Sequence, residues 1–298
     1  MSRAPQPFLS AAGRSWQVLR QDRYALGGGL GVLLFVGLAL LAPLAAPHDP
    51  NYQHPHGLSP LGAPAAPGRE FLFGADLLGR DLLSRVIYGA RVSLAVGVVS
   101  SVIALGVALA VGLVAGYASG AARTVLLWIV NAVLSFPSLL LMLALVSVLP
   151  RGIWVVVFVL SVFAWAYPAR VLYSEVLSVM QHEFIDAARA IGAGTARILA
   201  AHVLPQLVPL VIVYFTLRVP ATILAEASLS FLGLGVQPPT ASWGSIIYEG
   251  ARAYRSAPWI FLFPGAAIAA TVVSFNLLGD GLRDALDPTG SIRRRGPA

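Results

Sequence analysis

Six long apolar runs, separated by segments rich in Pro, Gly and charge, set the pattern of this 298-residue chain. They fall at about Leu26–Ala46, Val92–Tyr117, Val125–Leu149, Ile153–Tyr173, Val203–Ala225 and Trp259–Leu278. Each provides roughly the 20 residues that a helix needs to cross a hydrocarbon layer of about 30 Å. The pattern predicts an all-α membrane protein with six transmembrane helices. The first run is longer than the apolar stretch of a signal peptide and lacks a small-residue cleavage pattern, so it is read as a retained span. No internal repeat is evident.

An even number of spans puts both termini on one side. With that alternation, one side holds twelve arginines and the other seven, with Arg218 inside the fifth span. Because arginine accumulates on the cytoplasmic side, both termini are expected there. The chain then divides into an arm (1–24), a membrane domain (25–290) and a tail (291–298). In the arm, Trp16, Leu19 and Tyr24 alternate with Arg14, Arg20 and Arg23, which suggests an interfacial segment. The first eight residues and the tail are expected to be disordered.

Three connections are much longer than the 2–8 residues usual between packed helices. Residues 47–91, outside, begin as irregular Pro/Gly/His-rich loop. They continue at Asp76–Ile87 with Leu78, Leu82 and Val86 at helical spacing, which predicts a short amphipathic helix on the membrane surface. Residues 170–202, inside, predict a helix over Glu175–Ile191, a stop at Gly192-Ala193-Gly194 and a second short helix, Ala196–Val203, capped by Thr195. Pro205 then opens the fifth span. Such a helical hairpin reads as a docking element. Residues 231–256, outside, suggest a re-entrant or cap-like loop, with Trp243 plugging or lining the outer mouth.

Composition narrows the function. The chain is 57% hydrophobic and 11% charged, with a mean hydropathy of +0.78, whereas a soluble domain carries about 25% charge. It has no cysteine, which excludes disulfides, thiolate catalysis and iron–sulfur clusters. All 20 basic residues are arginine, so a P-loop lysine is absent and ATP hydrolysis by this chain is not expected. The net charge of +7 would suit nucleic acid, but the arginines lie between apolar runs, where membrane edges explain them better. His48, His54 and His56 sit in the first long loop and read as solvated residues rather than metal ligands. His182-Glu183 is not followed by the second histidine of a zinc protease motif, and all five histidines lie outside the spans, against a serine–histidine site within them.

Polar groups within spans are costly and usually face a cavity or a partner. Asn131, Arg218, Glu226 and Trp243 are the candidates for a translocation path. Arg218 and Glu226 share a helical face about 12 Å apart, too far for a direct bond. Arg218 would meet a substrate carboxylate, pair with a partner chain or snorkel. Pro137 and Pro220 are expected to kink their spans. A stand-alone secondary transporter or channel is the rival reading. It would need coupling carboxylates at mid-membrane, and apart from Glu226 the acidic residues lie near span ends or in loops.

Asp186-Ala187-Ala188, then Gly192, then His202-Val203-Leu204-Pro205 resembles the EAA signature of ABC-importer permeases. Asp186 stands where Glu is common and His202 where Ile is common, as in the peptide branch. Phe73–Arg85 is similar to that branch's GTDxxGRDxxSR segment, with Ala75 in place of Thr. Tyr88–Leu94, Leu229–Pro239 followed by Trp243-Gly244, and Asn276–Pro288 match as well. The chain thus resembles the second permease of a dipeptide/oligopeptide/nickel-type importer from about Gly74 to Pro288.

The resemblance implies a type I ABC-importer permease fold in the bacterial inner membrane. It implies a second homologous permease, two ATPase subunits that bind ATP and Mg, and an extracytoplasmic binding protein. Peptides are the first expectation for the solute, with nickel chelates, opines and glycosides as alternatives. The residues expected to couple to the ATPase are Glu183, Asp186, Ala187, Ala188, Arg189, Gly192, Leu204 and Pro205.

Overall fold

In the computed structural model, residues 18–286 are described. Arm residues Arg14 and Trp16, Asp287-Pro288 of the last motif and the tail 291–298 lie outside them. The described residues are helical, with three isolated β-bridges in the loops. Four helices are long and apolar enough to cross a membrane, and up to six crossings result if each of two bent pairs counts as one.

Helix α1 spans Arg23–Leu40, and the Asp22 side chain caps it by accepting from the Tyr24 and Ala25 amides at 2.8 and 3.2 Å. Helix α2 spans Leu82–Tyr117, 36 residues or about 54 Å. The surface helix expected at Asp76–Ile87 does not exist as a separate element. Asp81 caps α2 by accepting from the Ser84 amide at 2.9 Å, and Leu82, Val86, Ala90 and Leu94 continue one buried face into the span.

The third apolar run breaks into α3 (Gly120–Leu134) and α4 (Ser138–Val148), bent by 85°. Pro137 sits at the break, where it lacks an amide hydrogen and pushes Phe136 out of the helical region. The fourth run breaks into α5 (Ile153–Ala164) and α6 (Ala166–Met180), bent by 41°. Pro168 is the cause: it has no N–H to offer the Ala164 carbonyl four residues back.

The helix expected over Glu175–Ile191 is likewise two helices. After α6, His182 Nδ1 lies 3.0 Å from the Ser178 carbonyl, positioned to donate to it and close the helix end. Helix α7 then spans Glu183–Ala190. The short helix expected over Ala196–Val203 is not separate either. A turn at Thr195–Arg197 and a π-helical stretch at Ile198–Val203 run straight into α8, Leu204–Phe231. The whole segment Thr195–Phe231 is a rod of 37 residues that continues unbroken through Pro209 and Pro220. Thr195 makes no capping bond. Its hydroxyl meets the Tyr117 hydroxyl at 2.5 Å. Helix α9, Trp243–Gly250, lies within the last long connection, and α10 spans Trp259–Leu286.

Chain folding gathers the connections at two opposite ends. At one end the hairpin of residues 181–203 meets the C-terminus of α2 through Tyr117. At the other, residues 48–81 and 232–257 form a cap, in which Trp259 Nε1 donates to the Ala75 carbonyl at 3.0 Å. Trp243 is fully buried in the cap-end core with Leu82, Val86, Ile223, Ile246 and Ile260. Its indole N–H donates to the Val86 carbonyl at 2.9 Å. Outward faces are apolar, with Leu30, Leu33, Trp128 and Leu140 all more than 60% exposed. They suit lipid or a partner chain, not water.

Truncating a buried aromatic side chain costs about 3–5 kcal/mol. Trp243→Ala is expected to lower the melting temperature of the detergent-solubilised protein by several degrees. Trp243→Phe, which keeps a ring but loses the bond to Val86, falls between. Thermal unfolding followed by scattering or fluorescence checks this order.

Candidate functional site

Helix α7 is short and built for exposure. Glu183 and Asp186 occupy its first turn and Arg189 its last, each sign matching the nearby end of the helix dipole. Arg189 donates to Asp186 at 3.0 Å on the surface, a pair worth little in stability but one that orients both charges outward. Ile185 and Ala188 are buried, and Ile185 anchors the helix to Ile198, Val203 and Leu207. Gly192 ends it at φ +83, where a side chain would be strained. The Gly192 and Ala193 amides close the end by donating to Arg189 and Ala188 carbonyls at 2.9 and 3.0 Å.

Between α7 and the start of the rod lies an open hollow of about 480 Å³ lined by Phe184, Ala187, Ala188, Ile191, Gly192, Ala193, Arg197 and His202. Of the expected coupling residues, Ala187, Ala188 and Gly192 line it. Glu183, Asp186 and Arg189 stand exposed on the same helix. Leu204 and Pro205 belong to the first turn of α8 and do not line the hollow. The expected coupling set leaves out five lining residues, Phe184, Ile191, Ala193, Arg197 and His202. Phe184, Ala188 and Ile191 follow an i, i+4, i+7 spacing that marks one helical face, and Ile191 at 86% exposure is a large apolar group left uncovered.

The four path candidates do not converge. Asn131 is exposed on α3, and Arg218 is partly buried on α8 with its Nε unpaired. Glu226 and Trp243 do come together, but inside the chain's own core at 0% exposure. Ser93 links them, accepting from the Trp243 amide at 3.1 Å while lying 3.3 Å from the Glu226 carboxylate. Trp243 therefore packs the cap and does not line an opening. Among the described residues, no three His, Asp or Glu side chains converge as metal ligands.

The cap end holds a buried cluster of four charges. Arg80 donates to Asp76 at 2.6 Å and to Glu249 at 2.7 Å. Arg85, at 1% exposure, donates to Asp76 and, at 3.0 Å, to Glu249. Each guanidinium faces both carboxylates, so every buried charge has a partner of opposite sign when the acids are ionised. The cluster joins the turn before α2 to α9. Burial pushes the Glu249 carboxyl up to about 7, with Asp76 adding to the rise and Arg80 opposing it.

The fold and these ends define a class: a multi-pass helical membrane protein with an exposed helical hairpin at one end and a closed cap at the other. Residues 108–290 match the family of the binding-protein-dependent transport system inner membrane component. Residues 10–64 match the N-terminal TM domain of oligopeptide transport permease C. The chain is 43% identical over 274 residues to the glutathione transport system permease protein GsiD of Shigella flexneri serotype 5b (strain 8401), covering 92% of this chain and 89% of that one. The GsiD protein of Escherichia coli O157:H7 is 42% identical over the same shares. The chain belongs to the binding-protein-dependent permease family, as an inner-membrane permease subunit of an ABC importer in the oligopeptide branch. It is a transport subunit, and ATP hydrolysis belongs to a separate subunit.

A free Glu releases its proton near 4.5, and Glu249 in the folded cap holds it to about 7. Between those values the folded state binds more protons than the unfolded one, so stability falls as pH rises through the window. The melting temperature of the wild-type protein is expected to drop between pH 5 and 7. Glu249→Gln is expected to flatten that part of the profile, measured by thermal melts across pH.

Proposed function

We propose that this chain forms half of the translocation unit of an importer for short peptides, worked by two ATPase subunits through the hairpin. The other half is a second, homologous permease, and an extracytoplasmic binding protein delivers the solute. ATP and Mg bind in the ATPase subunits. Counting each bent pair as one crossing gives six spans, with the membrane domain at residues 25–290 and the arm 1–24 and tail 291–298 both in the cytoplasm. The arginine distribution supports that sidedness. It puts the hairpin in the cytoplasm and the cap outside.

One observation carries the coupling reading. An amphipathic helix with charged residues outward stands beside an open apolar hollow, and the hollow's far wall is the first turns of a 37-residue rod. A partner surface seated on Glu183, Asp186 and Arg189, with an apolar side chain in the hollow, would push directly on that rod. Ala187, Ala188 and Gly192 allow close approach, while Leu204 and Pro205 set the rod's entry into the membrane. For the path, Asn131 and Arg218 remain candidates at the boundary with the second permease, where Arg218 would meet a peptide carboxylate. The GsiD relatives are named for glutathione, itself a tripeptide, which supports peptides as the solute class.

Two substitutions separate coupling from folding. At Gly192 an added side chain meets open space, so Gly192→Leu costs only the backbone strain of a positive φ, about 1–2 kcal/mol. Glu183→Arg reverses a charge on the exposed face. In proteoliposomes holding the whole importer and its binding protein, both are expected to cut ATP-driven peptide uptake at least five-fold while membrane insertion stays at wild type and the melting temperature falls by no more than a few degrees, Gly192→Leu more than Glu183→Arg. Wild-type uptake by either variant contradicts the hairpin's role.

A further inference from the structure

Glu226 is a buried carboxylate whose partners are hydroxyls, not guanidiniums. Ser230 and Ser242 donate to its Oε1 at 2.6 and 2.8 Å, and Ser93 lies 3.3 Å from Oε2. Each of these hydroxyls also accepts a backbone N–H from the cap. Ser230 accepts from Val236 at 3.2 Å, Ser242 from Ser245 at 3.1 Å and Ser93 from Trp243 at 3.1 Å. A serine whose oxygen is engaged by an N–H turns its proton toward the carboxylate, so one side chain orders three relays. Gly244 completes the fit: a Cβ there would lie 2.6 Å from the Ala227 Cα.

The place of this junction matters. Glu226 sits in the last turns of the rod that begins at the hairpin hollow, and the segment it fastens is the cap that closes the other end. Ser93 brings α2 into the same junction. The cap therefore has a polar attachment to the rod in a region where no water competes for the bonds.

We propose that Glu226 is a positioning residue that fastens the cap, residues 232–250, to the end of the rod, so that the cap follows the rod when the hairpin is driven. The fastening itself is independent of the solute, whereas the movement rests on the coupling reading above. Gln at this position keeps one oxygen to accept from Ser230 and Ser242 and gains an amide to donate to Ser93. Ala keeps neither.

Because the chain has no native cysteine, Ala241→Cys gives one reporter in this subunit, at a cap position only 6% exposed. The experiment uses the full importer in membranes and a membrane-impermeant maleimide, with labelling of this subunit read on gels. Without nucleotide, Glu226→Ala is expected to raise the labelling rate at least ten-fold, and Glu226→Gln to stay within two-fold of the parent. With ATP and vanadate, the parent and Glu226→Gln are expected to change their labelling rate, and Glu226→Ala to keep the same rate in both conditions. A nucleotide-free rate in Glu226→Ala within two-fold of the parent overturns the fastening role. A parent that ignores nucleotide overturns the movement and counts against the coupling reading, while the nucleotide-free arm still decides the fastening. Should Glu226→Ala fail to assemble, Ser242→Ala decides instead. A three-fold rise in its rate supports the junction and an unchanged rate overturns it.

Discussion

Where water cannot follow, every charge and every hydroxyl must be satisfied by the protein itself. That constraint organises the cap end of this permease. Arg80 and Arg85 are buried because Asp76 and Glu249 meet them there. Glu226 is buried because three serines surround it. Neither cluster is local in sequence. Arg85 and Glu249 are 164 residues apart, and Ser93 and Glu226 are 133. Removing one member would leave its partners buried and unpaired, which costs more than the bond itself contributes. The cap is thus a single fastened unit assembled from distant parts of the chain.

The hairpin end follows the opposite logic. Its charges are exposed, its hollow is open, and Ile191 stands uncovered. Such a surface suits a partner better than water. The two ends are joined by the Thr195–Phe231 rod, which touches the hollow at Arg197 and the cap at Glu226. On the proposed coupling, this rod is the element that would carry a displacement of the hairpin to the cap.

Much of this was legible in the sequence. Apolar runs marked the four long apolar helices and the two bent pairs, Gly192 marked the hairpin's turn, and the Asp186–Pro205 spacing pointed to the family. What was misread has identifiable causes. Arg85 looks like a surface residue, so the apolar run begins near Val92, ten residues after the helix itself starts at Leu82. Nothing near Arg85 in sequence announces Glu249. Glu226, a lone acid in an apolar run, reads as a path residue until its serine partners are placed around it. Trp243 reads as a plug because it lies in a cap-like loop rich in Gly and Pro, but it fills the core beneath that loop. Two further signals stand in the sequence. Pro168 marks the bend between α5 and α6, and Ser242 with Ser245 forms the capping box of α9. The 85° turn at Pro137 exceeds the kink expected there.

The claim on which the rest turns is that the hairpin lies in the cytoplasm and receives the ATPase. Ile191→Cys, in this cysteine-free chain, tests it with a maleimide that cannot cross membranes. Inside-out vesicles stripped of ATPase should label strongly, right-side-out vesicles should not, and restoring the ATPase should protect the site. Labelling from the outer face, or a site that the ATPase leaves fully reactive, would contradict it.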